Sequence, residues 1–223
     1  MSSPEHDNVT DTVVLLYFLL VGEAELLVEL LDGAIQVPRA VYDPEDRDLP
    51  IEALRHSDLL SEMRQSARHY EVAARTGHAP GLHLDRVLAV DRLYDTGLVR
   101  VVDMTPEELT EAAGLQSRSV TKHHPIRAPL GAGEAACVAI ASRRGWSILT
   151  DDDAALAVMR SIYGKDEFEY ERIRKLLMRA GQERLITKRR ANDIHAEMRG
   201  LGFWDKGTPN GEWSPVAQVT VGA

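Results

Sequence analysis

Apolar and polar residues follow one another along the chain in short blocks, and these blocks predict strands and helices in turn. Strands are predicted at "AIQVP", "LVRVVDM" and Trp146–Thr150, with the end of another at Asn8–Asp11. Helices are predicted over "AELLVELLDG", His83–Asp95 and Glu134–Arg144. Strands that alternate with helices indicate an α/β fold with a central, mainly parallel sheet.

One apolar run leaves its secondary structure open. "TVVLLYFLLV" fits a strand or a buried helix, because an unbroken apolar run has no period that separates the two.

Helix ends are marked more clearly. Thr105–Glu108 has the pattern of a capping box with proline at the first helical position, which predicts a short helix from there to Gly114. Thr187 is a candidate N-cap, and Asp153 is expected to cap a helix that follows the strand Trp146–Thr150.

The organisation of the chain changes after Tyr163. We expect a first domain over residues 1–163, with a charged helical insertion around 46–96. Two helices without an intervening strand, roughly Phe168–Ala180 and Lys188–Arg199, are predicted within 164–203, joined by a turn at Gly181. Residues 204–223, rich in glycine and proline, form an irregular tail in this interpretation.

Composition narrows the class of protein. The single cysteine, Cys137, rules out an internal disulfide and suits a reducing compartment. The longest apolar run, Val13–Val21, is too short to span a bilayer, and acidic residues precede it where a secretory signal would be basic. We therefore expect a cytoplasmic protein without a membrane segment.

The charge is uneven along the chain. The net charge of −9 is unlike that of a generic nucleic-acid binder. However, Arg172–Arg199 contains nine basic and three acidic residues, and Leu115–Gly133 contains Arg118, Lys122 and Arg127 and no acid. These stretches are either solvated surfaces or sites for a polyanion, and the second interpretation makes Arg118, Lys122 and Arg127 candidate phosphate contacts.

Acidic residues follow several of the predicted strands. Asp11, Asp43 and the run Asp151–Asp153 each come after a strand, and Glu134 opens the helix that leads into the last one. Parallel strands bring their carboxyl ends to one edge of a sheet, where ligands bind. A carboxylate cluster there needs divalent cations, and oxygen ligands favour Mg²⁺ or Mn²⁺, the ions that assist phosphodiester cleavage. The alternative is that each acid merely caps a helix.

The segments "DTVVLLYFLLVG", "VPRAVYD" and "LGAGEAACVAIASRRGWSILTDDDAA" resemble the successive motifs of the PIN domain, a nuclease fold found in many bacterial toxins. The resemblance covers about Val9–Arg160. It implies a three-layer fold and a metal-dependent ribonuclease. Matched position by position, it assigns Asp11 and Glu134 as acids and places another at Asp152 or Asp151. The remaining acid is Asp43, with Glu45 as a competitor. Apart from the resemblance, Thr150 is either a strand-end hydroxyl or a further site residue, and we prefer the second interpretation.

Three functions follow as hypotheses. The first is an Mg²⁺- or Mn²⁺-dependent endoribonuclease, in the toxin case with a protein antitoxin as partner and with a homodimer as the assembly considered. The second is a DNA-directed or structure-specific nuclease, because the same metals cut either backbone. The third is a non-catalytic binding module that keeps the fold and uses Arg172–Arg199 for a partner.

Overall fold

The computed structural model describes residues 7–45, 57–59, 84–123, 128–164 and 168–204. Its strands are β1 (Asn8–Thr10), β2 (Ile35–Pro38), β3 (Val99–Val102), β4 (Ser147–Leu149) and β5 (Tyr170–Glu171). β1, β4 and β5 form one sheet in the order β1-β4-β5, and β2 pairs with β3 in a second. Every pairing is parallel, and β2 lies beside β1. The predicted α/β class with a mainly parallel sheet is confirmed.

Helices surround these strands. They are α1 (Thr12–Leu20), α2 (Ala24–Leu30), α3 (Leu84–Asp95), α4 (Pro106–Leu115), α5 (Arg118–Thr121), α6 (Ala132–Arg144), α7 (Asp153–Tyr163), α8 (Ile173–Gln182) and α9 (Lys188–Gly200). The capping box predicted at Thr105 and the N-cap predicted at Thr187 are both present. In the described part of the chain, no helix has the length and apolar character needed to cross a membrane.

The open apolar run is the helix α1. Most of its residues are buried, and only Val13 and Tyr17 are partly exposed. A helix that is covered on nearly all sides has no polar face, which explains why its sequence shows no helical period.

Helix α6 lies at the centre of the core. Its residues Ala135–Ala141 are all buried, and it contacts β1, β2 and β4 as well as α4 and α7. Because most of these side chains are small, the helix packs close to the strands and its first turn reaches the carboxyl ends of β1 and β4.

The predicted helix Phe168–Ala180 is wrong at its start. Tyr170 and Glu171 form β5 and pair with Ile148 and Leu149, and the helix begins only at Ile173. The pairing with β4 is a long-range contact, so it has no local sequence pattern. Gly181 lies within the last turn of α8, and the chain turns after it, where Arg184 has a φ of 63°.

Basic side chains tie the C-terminal helices to the rest of the molecule. Arg179 on α8 donates to the Leu30 carbonyl oxygen at 2.8 Å, and Arg190 on α9 pairs with Glu23. Some of the basic side chains of Arg172–Arg199 therefore make contacts within the protein. The division at residue 163 stays a prediction, and most of the insertion 46–96 and nearly all of the tail 204–223 lie outside the described residues.

Candidate active site

The first acid, Asp11, sits at the carboxyl end of β1 and is 1% exposed. Its carboxylate accepts hydrogen bonds from the Thr12 backbone N–H and from the Thr150 hydroxyl, both at 2.7 Å. Thr150 directly follows β4, and the parallel register that pairs Thr10 with Leu149 brings Thr150 beside Asp11. Thr150 therefore fixes the orientation of Asp11.

The same hydroxyl continues the chain of contacts to Asp152. The Asp152 backbone N–H donates to Thr150 Oγ1 at 3.1 Å, and Asp152 Oδ1 accepts from the Ala155 backbone N–H at 2.7 Å. Asp152 is thus the N-cap of α7. The expectation that Asp153 would be the cap is wrong, because the helix begins at Asp153 and the residue before it is the one with extended backbone.

Glu134 approaches these acids from the first turn of α6. One of its carboxylate oxygens accepts from the Gly131 backbone N–H at 2.8 Å. Its pKa is raised from 4.5 to about 8, first by burial and then by the negative charges of Asp152 and Asp11. Glu134 and Asp152 are also in hydrogen-bonding contact. The three acids predicted at Asp11, Glu134 and Asp152 therefore share one site.

A fourth acid at this site, Asp58, was missed by the sequence interpretation. Asp58 Oδ2 accepts from the Gly133 backbone N–H at 2.5 Å, one residue before Glu134. The backbone N–H of Asp58 donates to the Ala40 carbonyl oxygen at 2.8 Å, which anchors this acid just beyond β2. Burial raises the pKa of Asp58, although the Gly133 N–H opposes the effect.

The buried thiol of Cys137 lies close to three of these acids. Its pKa is raised well above the ordinary value, first by burial and then by the charges of Asp11, Glu134 and Asp58. Cys137 itself donates to the Thr10 carbonyl oxygen at 3.6 Å and is fully buried. Cys137 is therefore a core residue, and it lies under the acid cluster.

Asp43 and Glu45, the acids expected at the position that Asp58 occupies, lie elsewhere. Both pair with Arg39, at 3.2 Å and 3.4 Å, and Arg39 also pairs with Asp103. Asp58 is among the charges that raise the pKa of Cys137, whereas Asp43 and Glu45 are not. As metal ligands they stay a prediction, and the geometry favours Asp58.

The chain approaches very closely at the start of α6. A Cβ placed on Gly133 would lie 2.7 Å from Asp58 Oδ2 and 2.9 Å from Thr12 Oγ1. Thr12 is 3% exposed, and within the described residues its hydroxyl has no hydrogen-bond partner. A buried polar group without a partner is costly, so its position beside Asp58 favours a polar ligand at this point.

The three consecutive aspartates after β4 have different partners. Asp151 Oδ2 accepts from the Ile173 backbone N–H at 2.8 Å and so caps α8, while Asp153 pairs with Arg172 at 2.6 Å. Only Asp152 faces Glu134. Asp151 as a metal ligand therefore stays a prediction.

The predicted phosphate contacts lie on the segment that follows α4. Helix α5 begins at Arg118, and Lys122 directly follows its last residue as the C-cap. Both side chains are exposed. Arg127 lies outside the described residues. A role for this segment in binding a polyanion stays a prediction.

The donor chemistry of the cluster suits Mg²⁺ or Mn²⁺, because its side chains offer only oxygen. In the described ranges, however, no three His, Cys, Asp or Glu side chains are already arranged around a single ion position. Asp11, Asp58 and Asp152 instead accept hydrogen bonds from backbone N–H groups. Binding an ion here would require these side chains to rearrange.

Comparisons of the chain with protein-family models, with curated proteins and with solved structures give no match.

Proposed function

We propose that this protein is a metal-dependent nuclease of the PIN type that hydrolyses phosphodiester bonds in RNA. The observation that carries the proposal is the meeting of Asp11, Glu134 and Asp152 at one edge of the sheet. Asp58 joins them at the first turn of α6.

The electrostatics of the cluster favour a bound cation. Several carboxylates in a partly buried site repel one another, and here the repulsion and the burial are large enough to raise the pKa of Glu134 to about 8. A divalent cation would relieve both effects. Helix capping alone does not account for the cluster. Asp11 also accepts a hydrogen bond from the Thr150 hydroxyl, and Glu134 also lies close to Asp11 and Asp152.

In this proposal, the four acids would bind the metal ion, and a neighbouring hydroxyl orients one of them. Asp11, Asp58, Glu134 and Asp152 would hold Mg²⁺ or Mn²⁺, and the Thr150 hydroxyl keeps Asp11 in place. The ion, when bound, activates a water molecule and stabilises the charge on the scissile phosphate. The Thr12 hydroxyl lies beside Asp58 and has no hydrogen-bond partner among the residues that the structure describes, so it would hydrogen-bond to the bound water or to the phosphate.

The choice of RNA over DNA rests on the resemblance to PIN domains. An antitoxin and a homodimer stay predictions, and the same site would serve a DNA-directed nuclease equally well.

A cleavage assay tests the proposal. Labelled single-stranded RNA and DNA of the same sequence are incubated with wild type and with Asp11→Asn, in Mn²⁺ and in chelator. We expect cleavage of RNA by wild type in Mn²⁺ alone, and none by Asp11→Asn. Cleavage of DNA alone would favour the second hypothesis, and a folded Asp11→Asn variant with full activity would overturn the nuclease proposal.

A further inference from the structure

A positively charged side chain lies next to the acid cluster on the neighbouring strand. β5 pairs with β4 in the register Leu149 to Glu171, and the Thr150 backbone N–H donates to the Glu171 carbonyl oxygen at 3.1 Å. Arg172, the next residue, is therefore beside Thr150 and Asp151 at the carboxyl edge. Its side chain is 36% exposed.

The side chains of β5 alternate between two faces. Glu171 pairs with Arg179 and Lys175, so it points toward α8. Tyr170 and Arg172 consequently point toward the opposite face, where α7 lies. Two contacts agree with this: Arg172 pairs with Asp153, and Arg160 donates to the Tyr170 hydroxyl at 2.9 Å.

Arg160 and Arg172 thus form one cationic strip along the seam between α7 and β5. The guanidinium of Arg160 stands 5.7 Å from the centre of the Tyr170 ring, and its side chain is exposed. Tyr170 and Arg172 are two residue steps apart along extended backbone, a Cα–Cα distance of about 7 Å. The strip therefore begins at the acid cluster and leads away from it.

Both arginines are held in place by contacts that, among the described residues, use only part of their hydrogen-bond donors. The hydrogen bond from Arg160 goes to a neutral phenol, which leaves its positive charge uncompensated by that contact. Arg172 gives one N–H to Asp153, whereas a guanidinium has five N–H donors in a fork that matches phosphate. Fixed, partly exposed guanidinium groups of this kind are typical phosphate contacts.

We propose that Arg172 and Arg160 bind successive phosphates of a single-stranded nucleic acid where it leaves the acid cluster. The inference rests on the proposed function, because it takes the polyanion as the ligand of the same edge. A carboxylate cluster repels a nucleic-acid strand, so attraction has to come from adjacent cations. Asp153 orients Arg172 and competes with the phosphate for it.

Binding measurements separate this inference from the nuclease proposal. Fluorescence anisotropy of a labelled single-stranded RNA, with a DNA arm, is recorded in chelator at several salt concentrations, so that no cleavage can occur. The variants are Arg172→Gln, Arg160→Gln and Asp153→Asn, and Lys122→Gln tests the segment after α4. Arg189→Gln is the matched control, because the side chain of Arg189 on α9 is 93% exposed. The neighbouring Arg190 pairs with Glu23, which lies beyond the end of α1 opposite to Asp11.

We expect Arg172→Gln and Arg160→Gln each to weaken binding on the order of tenfold, the size of one charge-assisted hydrogen bond. Each should also lower the log–log salt slope by about 0.7, the value for one single-strand phosphate contact. Asp153→Asn should tighten binding, and Arg189→Gln should match wild type. Arg160→Gln changes an exposed side chain, so it keeps the test valid if Arg172→Gln fails to fold.

Equal losses in Arg160→Gln and Arg189→Gln would overturn the inference, as would an absence of binding by wild type. A loss confined to Lys122→Gln would transfer the phosphate contacts to the segment after α4 and overturn it too. The two proposals fail separately. Wild type that binds through Arg172 but cleaves nothing in Mn²⁺ contradicts the nuclease, whereas cleavage that is unchanged by both arginine variants contradicts the cationic strip.

Discussion

Asp58 is the residue on which the composition of the acid cluster depends. It accepts from the Gly133 N–H at 2.5 Å beside Glu134, whereas Asp43 pairs with Arg39. We expect Asp58→Asn to abolish Mn²⁺-dependent cleavage and to leave the free energy of unfolding unchanged or raised, because it removes a charge that burial disfavours. Asp43→Asn removes the same charge from a partly exposed ion pair and should keep the activity of wild type.

Cleavage rates and urea unfolding curves of the two variants provide the measurement. If Asp43→Asn is inactive and Asp58→Asn is active, the position assigned from the sequence is right and the geometric assignment is wrong.

Glu134 makes the stability of the protein depend on pH. Its pKa in the fold is about 8 against an ordinary 4.5, so the folded state holds a proton that the unfolded state has released. Between these values the folded state binds more protons, and the free energy of unfolding therefore falls as pH rises. The contribution is fully present below about 4.5 and is lost above about 8.

Glu134→Gln should flatten this dependence in the absence of added metal, because glutamine does not titrate. Unfolding curves measured across that pH range would show it. An equally steep fall in both proteins would mean that other groups are responsible.

At the level of single residues, the sequence indicated Asp11, Glu134 and the run Asp151–Asp153 as acids of one sheet edge, and the choice of Asp152 within the run came from the resemblance to PIN domains. Each stands at a strand end or a helix start, which a sequence marks. Asp58 carries no such mark, because it lies in a charged stretch that suits a solvated helix. Its position is set by the contact with Ala40, which no local pattern shows.

Among the helices, α7 combines a structural and a chemical role in its N-cap. Asp152 Oδ1 accepts from the Ala155 N–H at 2.7 Å and also belongs to the acid cluster. Asparagine is as good an N-cap as aspartate, whereas alanine is not. Asp152→Asn and Asp152→Ala should both lose activity, but Asp152→Ala should be less stable than Asp152→Asn by about 1 kcal/mol.

Chemical denaturation of the two variants gives this difference directly, and both lose the same charge. Asp153→Asn and Asp153→Ala serve as the control pair, for which the difference should be smaller. A larger difference at Asp153 would place the cap where the sequence first suggested it.

The start of α6 leaves no space for a side chain at Gly133. A methyl group there would meet Asp58 Oδ2 at 2.7 Å and Thr12 Oγ1 at 2.9 Å. Gly133→Ala should therefore displace Asp58, reduce cleavage and destabilise the fold by about 1 kcal/mol, the lower range for overpacking. Gly114 on α4 has no atom within 4 Å of the same position, so Gly114→Ala should stabilise by about 0.5 to 1 kcal/mol.

Thermal melting of Gly133→Ala and Gly114→Ala checks the opposite signs. A Gly133→Ala variant with the stability and activity of wild type would show that this approach is not as close as described.

Elements were predictable where their signals are local. The capping residues Thr105 and Thr187 and the Gly145 helix end, with a φ of 67°, all mark boundaries in the sequence. The strand β5 was not predictable, because two residues gain strand geometry only by pairing with β4. Helix α1 was ambiguous for the opposite reason, since burial on nearly all sides removes the polar face that gives a helix its period.

Across the whole molecule, the parallel strands β1, β4 and β5 bring opposite charges to one edge. Acids follow β1 and β4, and Arg172 follows β5. Under the two proposals, a chain with a net charge of −9 would thus hold a cation and a polyanion side by side. The alternation of strands and helices predicted this edge, whereas the place of Arg172 depends on a strand that the sequence did not reveal.

The central claim is that Asp11, Asp58, Glu134 and Asp152 form a cation site. A measurement of Mn²⁺ binding tests this claim most directly. Free Mn²⁺ is followed by its electron paramagnetic resonance signal during titration of wild type, Asp11→Asn, Asp58→Asn and the control Asp43→Asn. The titration is carried out above the pKa of about 8 that Glu134 has in the fold, so that no proton competes there. We expect saturable binding by wild type and by Asp43→Asn, and strongly weakened binding by the other two. Equal binding by wild type and Asp11→Asn, or no binding by either, would contradict the account.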